Sequence, residues 1–526
     1  MTTAESLAAA WARGAVVTLL AALPWLLAGC AGNPVPREHG AAMTPDEIET
    51  TWLGQWAAQS AAPSDGLSGF ALVSSGQDAF SLRVLLSEQA DKRLDIQTYL
   101  MGDGLTTRVL LARLLDAAER GVNVRLLLDD VGAVGQGRRL AALDSHPSVE
   151  VRVYNPLSLG RGHLTTRVLA SIPQAGRQHR RMHNKLWLAD GAVALVGGRN
   201  LGDEYYSASE PRNFSDLDMM TIGPVVEPLA RSFSLYWNHG LAQPIGRYHR
   251  AEEGAWRELR ASLGEWFGDN GDDDYFTGLR DRYADAEQGP LVGRLHWGEG
   301  VALWDPPGKL AWPGRPALAR TMAGELLAEV GDPRERLVVI SAYFVPGKAG
   351  TQYLRALADG GVEVAVFTNS LEATDVPLVH GAYQVHRGGL LQSGIQLHEL
   401  RAEQEPGSEG EISVGGSASA LHIKALGIDN DRVFVGSANA DPRSVWWNTE
   451  VGVLAHSESL AAELQGLVDL GKNPTLSYRV DRTESGQRYW QTEIGGESVR
   501  LMGEPGGVWR HLGAALSRWL RLEPLL

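Results

Sequence analysis

Cysteine is all but missing: Cys30 is the single one in 526 residues. That excludes an internal disulfide framework and any cysteine-built zinc or iron–sulfur site. Positive charge is also short, with 48 Lys and Arg against 63 Asp and Glu and a formal charge of −15. Such a balance suits a coat for nucleic acid poorly, although it leaves room for a local basic site. The apolar run at residues 15–29 is short for a membrane span and is broken by Pro24. What is present is ordinary for a globular chain, 44% hydrophobic and 21% charged. The length calls for two or more compact units.

The apolar run has the length of a signal-peptide core, with Arg13 ahead of it and small residues behind. Leu27-Ala28-Gly29-Cys30 resembles the lipobox of bacterial lipoproteins, which implies a signal peptide over residues 1–29 and lipidation of Cys30. Residues 30–66, with Pro34, Pro36 and Pro63, read as a tether with a short helix around 45–58.

Beyond the tether the chain repeats itself. Arg93-Leu94-Asp95-Ile96-Gln97-Thr98-Tyr99 opens a strand, residues 106–120 carry a helical apolar face ended by Gly121, and a buried strand follows at 122–128. The order returns in Arg336-Leu337-Val338-Val339-Ile340-Ser341-Ala342-Tyr343, a helix around 350–358, and a strand at 362–367. Strand, helix, strand in both halves predicts an α/β protein of two pseudo-symmetric lobes, each a mixed, largely parallel sheet flanked by helices. Residues 67–245 and 291–475 form these lobes, with an acidic, irregular connector at 246–290 and a tail at 476–526.

Each half then carries one polar pattern. The first is His183-Asn184-Lys185, Asp190, and Gly197-Gly198-Arg199-Asn200. The second is His422-Ile423-Lys424, Asp429, and Gly436-Ser437-Ala438-Asn439. The internal spacing is the same in both copies, which lie 239 residues apart. On a strand, residues two apart face one side, so each histidine points with its lysine. Each aspartate falls at a strand-ending turn. The small-residue corner permits close approach of a ligand, and the asparagine offers an amide. Two such halves can surround a phosphodiester with two imidazoles, two ammonium groups and two amides. Zinc on His179 and His183 lacks the intervening glutamate that helical spacing would need.

The doubled pattern resembles the phospholipase D superfamily, whose HxKxxxxD motif with a trailing G[GS]xN it matches at each fixed position. The resemblance implies one active site shared by both lobes. One motif histidine forms a covalent phosphohistidine and the other acts as acid and base. By family analogy His183 is the nucleophile and His422 the acid/base, with Lys185, Lys424, Asn200 and Asn439 on the phosphate oxygens. Asp190 and Asp429 complete the catalytic signature in a more structural role. Asp218 and Glu450 are the expected carboxylates that orient the rings. The resemblance calls for no metal and no cofactor.

Two stretches, Thr368-Asn369-Ser370-Leu371-Glu372-Ala373-Thr374-Asp375 and Gly198-Arg199-Asn200-Leu201-Gly202-Asp203-Glu204-Tyr205-Tyr206, look like the bacterial cardiolipin-synthase branch, its type-C members in particular. This implies phosphatidyl transfer, with phosphatidylglycerol as acceptor and phosphatidylethanolamine as a further candidate lipid. Alternatives are phospholipase D-type hydrolysis, a secreted nuclease of the same superfamily, or a lipid-binding envelope protein without activity. Near the C-terminus, Trp509, Leu512, Leu516, Trp519 and Leu520 share one helical side and Arg510, Arg518 and Arg521 another. That suits either an interfacial helix on anionic lipid or a helix capping one lobe. The basic run Arg177-Gln178-His179-Arg180-Arg181 reads as a second phosphate contact or as a solvated edge. Residues 401–419 are a candidate lid. The expected partners are phospholipids and a membrane surface, with no nucleic acid. The expected place is the cell envelope, lipid-anchored and facing the periplasm or exterior.

Overall fold

Strands dominate the interior because the chain supplies short, continuously apolar runs that can be buried on both faces. A computed structural model describes residues 40–156, 179–209, 212–271, 273–283, 295–402 and 418–526. The signal-like segment with Cys30, Arg177-Gln178 of the basic run, and most of the 401–419 segment lie outside these described residues.

In the first half the strands are β1 (Ser68–Val73), β2 (Arg93–Leu100), β3 (Asn123–Gly132), β4 (Val149–Tyr154), β5 (Leu186–Ala189), β6 (Val193–Gly197), β7 (Arg212–Ser215), β8 (Asp218–Ile222) and β9 (Ala242–Pro244). β2, β3 and β4 are parallel, as strands separated by a crossover helix must be. From β2 the sheet continues antiparallel through β5, β6, β8 and β1. The second half repeats this with β10 (His296–Trp304), β11 (Arg336–Ser341), β12 (Glu363–Asn369), β13 (Gln396–Leu400), β14 (Ala418–Leu421), β15 (Lys424–Ile428), β16 (Arg432–Gly436) and β17 (Val451–His456). Here β11, β12 and β13 are parallel, and β15, β16, β17 and β10 follow antiparallel. The α/β class and the pseudo-symmetry therefore hold, but a largely parallel sheet does not: among the described residues parallel ladders are confined to three strands per half and to one small two-stranded sheet, with two isolated parallel bridges besides. The pairs β5–β6 and β15–β16 are joined by tight turns, which only antiparallel neighbours allow.

Pairing of β1 with β10, Phe70 opposite His296, joins the halves into one sheet. Helices α1 (Trp52–Ala61), α2 (Gly76–Gln89) and α3 (Leu105–Glu119) cover the outer face of the first half. A central core lies between the halves, fed by α4 (Val226–Trp237) and by inward residues such as Leu186, Leu188, Val338 and Ile340. On β11 the alternate residues Leu337 and Val339 face the other way, toward α5 (Met322–Val330) and α6 (Gly347–Asp359).

Three segments depart from the sequence expectation. Residues 40–66 are less a tether than a strap: Leu53 is fully buried and Trp52 N donates to Asp91 Oδ2 at 2.6 Å. The connector is largely helical, at Ala255–Asn270 and Asp274–Tyr283, with Leu263 and Leu279 buried against the first half. The tail begins with three antiparallel strands, Ser477–Arg482, Arg488–Ile494 and Glu497–Leu501, that extend the second sheet from β13. It ends in a helix over Val508–Leu520, which packs on α7 (Pro377–Gln384).

Candidate active site

The four motif side chains converge from the two halves. His183 precedes β5 and His422 precedes β15, each held by a backbone bond to the opposite half. His183 N donates to Thr449 O at 2.9 Å, and His422 N to Ser215 O at 2.7 Å. The second bond continues the parallel pairing of β14 with β7, in which Leu421 sits opposite Ser215.

Each histidine consequently meets a carboxylate supplied by the other half. His183 Nδ1 lies 2.9 and 3.1 Å from the Glu450 oxygens, and His422 Nδ1 lies 2.6 Å from Asp216 Oδ2. With a carboxylate as partner, Nδ1 holds a proton and donates it, leaving Nε2 for chemistry, as a lone pair on a nucleophile or carrying a second proton on an acid. Both carboxylates are fully buried, whereas the imidazoles keep 12% and 11% of their surface. The rings are braced by aromatic side chains, edge-on for the two tyrosines and tilted for Phe214. Tyr99 meets His183 at 5.0 Å, and Tyr205 and Phe214 meet His422 at 5.2 and 5.1 Å.

Lys185 Nζ donates to His183 O at 2.8 Å, and Lys424 Nζ lies 3.0 Å from His422 Nδ1 and also bonds His422 O. Each lysine thus lies beside its histidine, as the two-residue spacing predicts. Asn200 is held by Leu100 N and by the Tyr205 hydroxyl, at 3.2 and 2.8 Å. Asn439 Oδ1 is buried and meets no donor among the described residues.

Asp218 is the clear correction. It pairs with Arg83 at 2.9 Å and Arg199 at 3.5 Å, away from His422. The register explains this. Gly197 faces Asp218 on β8 and Gly436 faces Gly452 on β17, so Asp218 corresponds to a glycine and Asp216 to Glu450. Aligning Ser215-Asp216-Leu217-Asp218 with Thr449-Glu450-Val451-Gly452 would have picked Asp216 from sequence alone. The glycine corner also has another task than ligand approach: a Cβ on Gly198 would lie 2.2 Å from Asp216 Oδ1.

Neither the Asp190 nor the Asp429 carboxylate is hydrogen-bonded to a motif histidine. Asp190 accepts from the backbone N–H groups of Asp91, Lys92 and Arg93, and Asp429 from those of Arg334, Glu335 and Arg336. Each pins the start of a parallel strand from a left-handed turn residue, φ 49° in both. The described part of the basic run, His179 to Arg181, is engaged with neighbouring elements of the fold. Arg181 is fully buried against Asp129 at 3.5 Å, and Arg180 bonds the Trp312 carbonyl and stacks over Trp447.

Arg443 was not anticipated. Its charge reaches His183 and its side chain reaches Tyr99. The signal available was Asp441-Pro442-Arg443, directly after the second asparagine corner. Tyr99 and Tyr343 close the two repeated strands and were visible as a pair in the duplication.

Electrostatics separate the two histidines. Burial, then Lys185 and Lys424, hold His183 well below its ordinary 6.5, so it is neutral. Its partner Glu450 is pushed up by burial to about 7. Burial and Lys424 also lower His422, but Asp216 pulls it back. Burial pushes the Asp216 carboxyl up, yet His422, Lys424 and Arg199 outweigh that and keep it ionised. Lys424 is lowered by burial to about 8. Bringing an anionic phosphate among these cations would restore charge to both lysines.

Among the described residues, His380, Glu399 and Glu504 could geometrically hold a metal ion. Arg387 already sits there, with Nε 2.9 Å from Glu399 and Nη2 bonded to Glu504. A guanidinium fills the place of a cation.

Residues 85–233 and 326–469 match the family described as cardiolipin synthase, PLD-like domain. Cardiolipin synthase C of Escherichia coli K12 is 37% identical over 460 residues, covering 85% of this chain and 94% of that protein. An uncharacterized protein of Helicobacter pylori 26695 is 30% identical over 420 residues, 79% of this chain and 82% of its own. The crystal structure of a phosphatidylserine synthase from Haemophilus influenzae Rd KW20 shares the fold at TM-score 0.52 and 12% identity, over 80% of this chain and 91% of that one.

Proposed function

The chain belongs to the cardiolipin synthase family of PLD-like proteins, and from that premise we propose that it transfers phosphatidyl groups between phospholipids to form cardiolipin. The observation that carries this reading is the pair of imidazoles, each with Nδ1 on a buried carboxylate and each beside a buried lysine. In the proposed cycle His183 Nε2 attacks phosphorus, an N–P bond forms, and the P–O bond to the headgroup breaks. His422 gives its proton to the departing alkoxide. A glycerol hydroxyl of phosphatidylglycerol then attacks the phosphohistidine, its proton passes to His422, and the N–P bond breaks.

Neutral His183 suits the nucleophile, and His422 beside ionised Asp216 suits the acid. Lys185, Lys424 and Asn439 are placed to stabilise charge on the non-bridging oxygens, with Asn200 locked behind them. The roles of Asp190 and Asp429 are structural in this reading.

The reading includes a membrane surface as partner. The helix Val508–Leu520 exposes Trp509 at 84% and Trp519 at 78% beside exposed Arg518 and Arg521, a face suited to anionic lipid. It buries Ala514 and Ser517 instead, so capping a lobe and meeting a bilayer are compatible. Among the described residues no helix is long and apolar enough to cross a membrane. A lipid anchor at Cys30 would place the enzyme in the cell envelope, facing the periplasm or exterior.

Purified protein incubated with labelled phosphatidylglycerol, alone and with phosphatidylethanolamine, tests the reaction. Cardiolipin together with a phospho-adduct lost in His183→Ala supports it. Phosphatidic acid alone would make the protein a hydrolase, and DNA cleavage without lipid turnover would sink the lipid reading. Metabolic labelling with a fatty acid, lost in Cys30→Ser, tests the anchor.

A further inference from the structure

The two halves differ on their outer faces, and the difference makes a cavity. In the first half α3 buries ten residues on the sheet and α1 closes the remaining side. Its counterpart α6, Gly-Lys-Ala-Gly-Thr-Gln-Tyr-Leu-Arg-Ala-Leu-Ala-Asp, buries Leu354 alone. α5 has nine residues where α2 has fourteen. Too little side-chain volume therefore lies over β11, and a groove of about 1060 Å³ opens between α5 and α6. That is at the top of the roughly 300–1,000 Å³ range of small-molecule sites. Its lining includes Leu326, Leu337, Val339, Phe344, Leu354 and Phe434.

One end of the groove borders the second motif at Asn439 and Ser341, although neither motif histidine nor motif lysine lines it. The groove follows β11 from Leu337 to Ser341, about 13 Å of strand at roughly 3.3 Å per residue. Ser341 pairs with Lys424, so the inner end lies at the second motif. Asn439 lines that end, and its buried amide oxygen has no donor among the described residues. A buried acceptor without a partner is costly unless a ligand supplies the hydrogen bond, and in phosphatidylglycerol only a hydroxyl of the glycerol head can donate it. The rim is completed by Glu523 and Pro524, which follow the exposed apolar helix Val508–Leu520. A polar head at Asn439, a long apolar trough and a rim beside a bilayer-suited helix match one molecule from end to end.

We propose that this groove takes an acyl chain of the phospholipid substrate while its phosphate lies between the two histidines. The proposal rests on the phosphatidyl-transfer reading above. It makes the second half the one that grips lipid, and it ties chain length to turnover. Burying methylenes in a preformed apolar trough adds binding energy that a short-chain or chain-free diester cannot gain.

Two measurements decide it. Full-length protein is irradiated with vesicles of phosphatidylglycerol carrying a diazirine near the end of one acyl chain, and the adducts are mapped by mass spectrometry. Adducts on residues 322–330, 337–341 or 347–359 are expected. Adducts confined to 508–520, or on a second copy of the chain, would overturn the proposal, because the chain would then stay in the bilayer or the groove would be a dimer contact. Separately, Ala323→Trp fills the groove from α5, where Ala323 is half-buried. It should lower kcat/KM for dioleoyl phosphatidylglycerol by about tenfold and leave cleavage of the chain-free diester bis(4-nitrophenyl) phosphate unchanged. Undiminished turnover of the long-chain lipid in that variant would also overturn it. Failure of the catalytic reading would show on its own, as no cardiolipin from the wild type, while the adduct map still decides the groove.

Discussion

At the scale of single residues, the contrast between Asp216 and Asp218 is the sharpest test of the site. Asp216→Asn keeps the shape but removes the negative charge that holds the His422 proton on Nδ1. The expected result is a loss of about 10²–10⁴-fold in kcat with an unchanged melting temperature. Asp218→Asn should do the reverse. It leaves the buried cations Arg83 and Arg199 unpaired, at about 3–5 kcal/mol of stability, with activity per folded molecule retained. Gly198→Ala should resemble Asp216→Asn, since the new methyl group would displace that carboxylate. The pH profile follows from two buried groups. kcat/KM should rise through about pH 7 as Glu450 ionises, and fall above about pH 8 as Lys424 loses its proton. Glu450→Gln should abolish the acid limb and Lys424→Arg should move the alkaline limb upward, whatever their absolute rates.

At the scale of elements, the C-terminal helix shows how far a sequence pattern reaches. Periodicity identified its apolar face from Trp509 to Leu520 but not which face is buried. The answer lies in Gly381, whose missing Cβ lets the helix approach until such an atom would be 2.3 Å from Ala514 O. Glu504 anchors the preceding loop to His380, Gln384 and Arg387. Burial raises this carboxyl, but its bond to His380 and the Arg387 charge outweigh that and hold it below the ordinary 4.5. Its contribution is therefore full above pH 4.5 and drains away as the pH falls below it. Hydrogen exchange across 508–520 should accelerate in Glu504→Gln at neutral pH, and in the wild type only in acid. Other elements were legible for plain reasons. Both strand–helix–strand runs appear within a few residues of where apolar spacing and glycine stops put them. Pairing sense was not legible, because β5 and β6, buried on both faces, read as continuous apolar runs like β3. Burial pattern carries no sign of strand direction. The strands at 477–501 were missed because their outward faces are charged, with Arg479, Arg488, Glu497 and Arg500 breaking the apolar signal.

At the scale of the whole molecule, the halves share too much to behave independently. The sheet runs through β1 and β10, and one core holds Leu186 and Val196 of the first half with Ile340 and Val435 of the second. Circular dichroism and tryptophan fluorescence should therefore report one coincident thermal transition, not two. The described residues from 41 onward form one compact unit, in keeping with this. An isolated first half, residues 67–245, should lack activity even if it folds, since His183 would lose Glu450.

That exchange of carboxylates has a consequence for how such a sequence can change over generations. Duplication normally frees one copy to drift while the other preserves the original task. Here the copies hold each other's acid, so an altered Ser-Asp step in the first is felt at the histidine of the second, and an altered Thr-Glu step the other way round. Neither copy is spare. The ancestor's two interchangeable partners have become a couple that can only be inherited together.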